Sequence, residues 1–206
     1  MDNKMTKRII GAFAAIILVA AVVLAVYFAM NRQVQRDAEE SVLPTTEVGK
    51  ILAKDLELKY PETPTEVLKL YWRINKCMYN ENVGDENFEK LLKQLRMLYD
   101  DELLAEKNNS YEKMLENFKK DRDSYQEKEQ KISDAYNVQS NKTVSVKKLD
   151  GRDCATVITS TLVKAKGEKS TKTFEKFMCR RDAKGKWKIL GWQQTNAEEA
   201  AKAGMK

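Results

Sequence analysis

The chain of 206 residues contains no histidine. That removes the usual general base near neutral pH, the commonest metal ligand and every Ser-His or Cys-His pair. Cysteine is scarce as well. Cys77, Cys154 and Cys179 are widely spaced and form no C-x-x-C pair, so neither a zinc site nor a dithiol redox motif has a framework. An odd thiol count leaves at least one cysteine outside any intrachain bridge. Cys154 and Cys179 fall on neighbouring strand candidates and could approach each other, but buried, unbridged thiols are the expectation. Three prolines and eight glycines argue against long disordered tracts. No cofactor, metal or catalytic motif is expected, and the chain reads as a non-enzyme.

Charge is missing altogether from Ile9 to Met30, IIGAFAAIILVAAVVLAVYFAM. As a helix this run would extend roughly 33 Å, against a bilayer hydrocarbon core of about 30 Å. A cleavable signal has a shorter apolar region and ends in small residues, whereas this run closes on Val26-Tyr27-Phe28-Ala29-Met30. An uncleaved anchor is expected. Lys4, Lys7, Arg8 and the α-amino group lie before it, against Arg32 and Arg36 after it, which the acidic Asp37, Glu39 and Glu40 follow. Flanking basic residues stay on the cytoplasmic side, which places residues 1–8 inside and the rest outside. The expected layout is a transmembrane helix over 9–30, a stalk and short amphipathic helix over 31–61, one domain over 62–194, and a polar tail over 195–206.

Helical periodicity fills the first half of the domain region. Glu47 to Lys59 carries Val48, Ile51, Leu52, Leu56 and Leu58, which predicts a short helix stopped by Tyr60-Pro61. Thr63-Pro64-Thr65-Glu66 reads as a capping box with proline at the first helical position. The helix it opens sets Val67, Leu70, Tyr71, Ile74 and Met78 on one face and breaks at Asn80 to Gly84. Asp85 is expected to cap the next helix, with Phe88, Leu91, Leu92, Leu95 and Leu98 at three- and four-residue spacing. Ser110 to Tyr136 lacks glycine and proline, and Tyr111, Phe118, Tyr125 and Ile132 recur every seven residues. One long helix lying on the domain through a narrow stripe is predicted there.

From Lys142 the apolar period changes to two. Strands are predicted at Thr143–Leu149, Cys154–Lys164, Thr171–Arg181 and Lys186–Gln194, joined by glycine-bearing turns as an antiparallel meander. Trp187 and Ile189 share one face by alternation, while Leu190 and Trp192 share the other. Charge changes with the period: Asn31 to Asn141 nets −5, whereas Lys142 to Gln194 holds 14 basic and 5 acidic residues, a net +9. Charge of one sign at this density attracts an anionic partner. The candidate contacts are Lys164, Lys166, Lys169 and Lys172 around one hairpin, and Arg180, Arg181, Lys184, Lys186 and Lys188 around the next. The partner expected is an anionic lipid surface or a wall polymer. Nucleic acid is disfavoured for a domain outside the cell with no reading motif, and no protein partner is legible.

Helices followed by a meander ending in Gly185-Lys-Trp-Lys-Ile-Leu-Gly-Trp192 resemble the nuclear transport factor two-like superfamily. The resemblance covers about residues 62–194. It implies an α+β fold in which helices close the concave side of a curved, four-stranded cone-like (cystatin-like) sheet behind the transmembrane helix. Tyr60-Pro-Glu-Thr-Pro64 and Leu98-Tyr-Asp-Asp-Glu-Leu103 are similar to stretches in small membrane-anchored members from low-GC Gram-positive bacteria. Enzymes of that superfamily place an acid and a tyrosine, or an Arg-Asp set, inside the cone. Asp153, Glu175 and Arg180 on strands and Tyr71, Tyr79 and Tyr99 on helices are the residue types in question, and their spacing forces no common pocket. The leading expectation is a non-catalytic, envelope-facing binding or scaffold module. A subunit of a conjugation or secretion assembly, and an enzyme or carrier using the cone cavity, are the alternatives.

Overall fold

The capping box at Thr63 forms as read. In the computed structural model, which describes residues 24–30, 32, 43–133 and 136–205, the Thr63 hydroxyl accepts from the Glu66 N–H, and the Glu66 carboxylate accepts from the Thr63 N–H. Helix α2 (Pro64–Asn80) follows and buries residues on most of its circumference, from Val67 to Met78. It is the central helix of the domain. Thr63→Ala is expected to lower unfolding stability by about 0.5–2 kcal/mol in a urea titration; an unchanged midpoint would show that the cap is idle.

Helix α1 (Glu47–Leu52) is shorter than its apolar pattern predicts. Asp55 accepts from the N–H groups of Glu57 and Leu58, and that local turn ends the helix early. Leu56 is buried, but Leu58 points into solvent. Helix α3 (Gly84–Arg96) buries Phe88, Leu91, Leu92 and Leu95 as expected. Asp85 does not cap it: the N-cap is Val83, and Asp85 instead accepts from Lys119 and Arg122. A short α4 (Asp101–Ala105) is capped by Asp100. Helix α5 (Tyr111–Glu127), capped by Ser110, stops nine residues before Tyr136.

The end of α5 has a tertiary cause. Glu129 takes a left-handed conformation (φ 46°), and the chain turns into β1 (Lys131–Ile132) and β2 (Asn137–Val138). Ile132, the last residue of the seven-residue repeat, is buried in the sheet. Asn80 at the end of α2 holds it there, donating to the Ile132 carbonyl and accepting from its N–H.

The meander expected from the period-two pattern is present as β3 (Ser145–Leu149), β4 (Arg152–Lys164), β5 (Thr171–Arg181) and β6 (Trp187–Thr195), all antiparallel. The sheet has six strands, because β1, β2 and β3 lie end to end along one edge of the long β4. It curls into a half-barrel. Asp150 and Gly151, both at positive φ, make the tight β3–β4 turn that the Asp-Gly pair specifies. On the other edge, Ile189 exchanges backbone hydrogen bonds with Leu98 and Asp100.

Ile189 is fully buried and Trp187 nearly so, on the one face that their alternation gives to both. Trp192 departs from the prediction. Cys179 pairs with Ile189 but Met178 pairs with Gly191, so Leu190 is an extra residue, and the bulge resets the alternation. Trp192 therefore lies opposite Phe177 on the helix-facing side and not beside Leu190. Beyond β6, Asn196 caps α6 (Ala197–Lys202), so part of the expected polar tail is helical, and Glu199 on it pairs with Lys176.

Among the described residues no helix is long and apolar enough to cross a membrane. Residues 9–23 of the expected span lie outside the described residues, as does most of the stalk over 31–43. Residues 24–30 are helical and exposed throughout.

Candidate functional site

The helix-facing side of the sheet carries an aromatic cluster. Phe177 and Trp192 stack at 5.7 Å between ring centroids, and Tyr71 of α2 meets Phe177 edge-on at 5.2 Å. Tyr99 lies 6.0 Å from Trp192 and 6.4 Å from Tyr71. Trp192 is 45% exposed, so the cluster has an open rim. A second stack sits beside it, where Tyr79 faces both Phe118 and Tyr125 of α5.

Polar atoms lie on the same side. Glu175 pairs across the ladder with Thr159, and Thr173 with Thr161, two and four residues from Phe177. Thr159 and Thr161 are buried, and their hydroxyls, like Glu175 Oε2, have no hydrogen-bond partner among the described residues. A buried polar atom left unsatisfied costs about 1–3 kcal/mol. Burial raises the Glu175 carboxyl above the usual range. Burial also raises the phenols of Tyr71, Tyr99 and Tyr125, and the Glu175 charge adds to each shift. The structure thus brings together Glu175, Tyr71 and Tyr99, which the spacing did not force. It leaves Tyr79 in the neighbouring stack and sends Asp153 and Arg180 elsewhere. The sequence singles out neither Thr159 nor Thr161, and its alternation sets Trp192 on the opposite face. For the threonines strand alternation from Phe177 is the available signal; for Trp192 the bulge hides it.

The Glu175 environment makes a pH prediction. A carboxyl whose folded pKa is raised binds its proton more readily in the folded state, so stability falls as pH rises from the unfolded value of about 4.3 through the folded value. Glu175→Gln is expected to remove that decline and to leave the variant more stable than the parent at pH 7. A parallel pH–stability curve for the two proteins would contradict it.

The nine basic candidates do not form one surface. Lys164, Lys166, Lys169 and Lys172 sit at the β4–β5 turn, and the other five at or near the β5–β6 turn, the far end of an 11-residue strand. That is roughly 33 Å away. Arg180 is buried: its Nε donates to Asp100 Oδ2 at 3.0 Å, its Nη2 to Oδ1, and its Nη1 lies 2.9 Å from Glu102. It is a structural ion pair and no contact for an outside anion. Lys186 and Lys188 lie over the Tyr60 ring and donate to backbone carbonyls at Leu56, Glu57 and Met97. Arg181 packs over Trp187, Lys172 over Phe174, and Lys166 pairs with Glu129. Lys164, Lys169 and Lys184 remain exposed, with no side-chain partner among the described residues.

The three cysteines are buried and unbridged. Ala155 lies opposite Cys179 and Cys154 opposite Arg180, so the two thiols project to opposite sides of the sheet and cannot join without breaking the ladder. Burial pushes the Cys179 thiol up to about 12. Among the described residues no group of His, Cys, Asp or Glu could hold a metal ion.

A groove of about 1070 Å³ opens on the outside of the domain, between α2 and the segment 136–142, with Glu47 at its edge. Its walls carry Lys69, Arg73, Lys76 and Lys142 against two acids, Glu47 and Glu66. Nothing in the sequence marks it, because Lys142 is far from the α2 cations along the chain.

One comparison with known proteins bears on this arrangement: the profile of a domain of unknown function, DUF6715, matches residues 1–192. The chain belongs to this family. The match takes in the apolar run and the folded domain together, and ends before α6 of the DUF6715 chain. No curated protein matches it.

Proposed function

We propose that this DUF6715 protein is a non-catalytic binding or scaffold module, held at the membrane by residues 9–30 with its domain on the outer side. The observation that carries the reading is the helical segment 24–30. Leu24, Val26, Tyr27, Phe28 and Met30 are each 52–65% exposed, while the core of the domain begins only at Val48. Burying a large apolar side chain is worth about 1.5–3 kcal/mol, and the domain supplies no cover for these. A bilayer does. The run is long enough, it is free of charge, and its flanking basic residues orient it. The helices and curled antiparallel sheet beyond it support the cone-like reading of the domain. The exposed Lys164, Lys169 and Lys184 are the residues of the two hairpins left to meet an anionic lipid surface.

Full-length protein should stay in the pellet when membranes are washed with alkaline carbonate, and Leu24→Arg combined with Val22→Arg should release it. Release of the parent chain, intact or shortened, would refute the anchor. A second reading, a small-molecule carrier or enzyme using the sheet's inner side, is favoured by the unpaired Glu175, Thr159 and Thr161 beside the Trp192 rim. Ligand-induced quenching of Trp192 fluorescence that Glu175→Gln abolishes would support it.

A further inference from the structure

We infer that the groove between α2 and the segment 136–142 binds a phosphate-ester polyanion, with Lys69 and Lys142 as its principal contacts. The inference deepens the binding-module reading by naming a ligand class, and rests on it only for where such a polymer is met.

The charge balance of the groove is one-sided in effect as well as in count. Both acids on its walls are already committed to protein donors. Glu47 accepts from Arg73 Nε, and that bond holds its carboxyl below the usual range. The Glu66 carboxylate accepts from the N–H groups of Glu62 and Thr63 as half of the capping box. Lys69 and Lys142, by contrast, are exposed on facing walls, and their ammonium groups have no partner among the described residues. The field in the groove is therefore positive, and low-dielectric walls on both sides focus it.

A guanidinium fork meets carboxylate and phosphate alike, and the one in this groove is already paired with Glu47, so ammonium groups are the donors left for an outside anion. Ammonium groups act as point charges with three rotatable donors, which suits the spread oxygens of a phosphate. Tyr136, Asn137, Ser140 and Asn141 add neutral hydroxyl and amide groups along the wall that carries Lys142, able to meet ester oxygens and hydroxyls between phosphates. The volume of about 1070 Å³ lies just above the range for ligand sites, about 300–1,000 Å³, so it accepts several units and not one ion. A flat bilayer surface does not enter a groove, whereas a single polymer chain does.

The test uses the purified full-length chain in neutral detergent and a short inorganic polyphosphate as probe. Lys69→Gln/Lys142→Gln is compared with Lys164→Gln/Lys169→Gln, which removes the same charge at the sheet's hairpin. The groove variant should lose at least tenfold in affinity and lower the slope of log Kd against log salt by about one to two; the hairpin variant should match the parent. Polyglutamate of equal charge should bind at least tenfold more weakly. Phosphatidylglycerol vesicles at equal phosphate should not compete. In the unsubstituted chain, polyphosphate should protect Lys69 and Lys142 from amine acetylation while leaving Lys164 and Lys169 reactive, a readout that does not depend on any variant folding. Equal losses in the two variants, equal binding of polyglutamate, competition by vesicles, or no binding at low salt would each overturn the proposal. Carbonate extraction reads the anchor separately, so failure of one leaves the other standing.

Discussion

Arg180→Ala is expected to lower the stability of the domain by about 3–5 kcal/mol, the usual cost of removing one partner from a buried ion pair. Arg180 and Asp100 are both more than nine-tenths buried. The guanidinium grips both oxygens of Asp100 and reaches Glu102, while Asp100 also accepts from the Glu102 N–H as the cap of α4. Deleting the arginine leaves a buried carboxylate with a single backbone donor. Burial acts to raise the Asp100 pKa, but the Arg180 hydrogen bond, the Glu102 N–H and the Arg180 charge together hold it below the usual range. A carboxyl with a lowered folded pKa contributes stability above its unfolded value of about 3.9 and loses it as pH falls through the folded value. The parent should therefore lose stability in acid more steeply than Arg180→Ala does. Replacing both partners, with Arg180→Met and Asp100→Leu, should cost less than Arg180→Ala alone, because no lone charge stays buried. A urea midpoint for Arg180→Ala close to that of the parent would show the pair to be solvated.

Phe177→Ala should be as damaging, at about 3–5 kcal/mol. Phe177 is fully buried at the centre of the layer contact, with Trp192 stacked on it and Tyr71 edge-on. Its removal strips contacts from both elements and opens a cavity that the curled sheet can only partly close. Phe177→Leu should cost markedly less, since most of the volume stays. Trp192 emission should shift to longer wavelength in Phe177→Ala as the ring loses its apolar neighbour. A Phe177→Ala protein of parental stability would mean that the helices do not rest on this face.

How far these elements were legible follows from the range of the forces that make them. The capping box, α2 and the apolar face of α3 rest on neighbours within four residues, and the sequence shows those directly. The bounds of β5 were read correctly because alternation and glycine turns are also local. The end of α5 was not, because it depends on Asn80 capturing the backbone of Ile132 from 52 residues away. Asp85 looked like a cap by position, but cations on α5 claim its carboxylate. The bulge at Leu190 reversed the side on which Trp192 lies, and alternation alone cannot foresee an inserted residue. Arg180 looked like one basic residue in a row of them, since nothing near it in the chain marks Asp100 as its partner. The groove and the Glu175 cluster share that origin, each joining a helix to a strand or loop remote in sequence.

The claim that the domain is tethered outside the membrane is open to one direct measurement. Lys169 is exposed at the β4–β5 turn, and the native thiols are buried, so Lys169→Cys supplies a single reactive cysteine. Intact protoplasts expressing it are treated with a membrane-impermeant maleimide, and the label is compared with that after lysis. Full labelling before lysis, with the parent chain unlabelled, is the expected result. Labelling that appears only after lysis would place the domain on the cytoplasmic side and contradict the account.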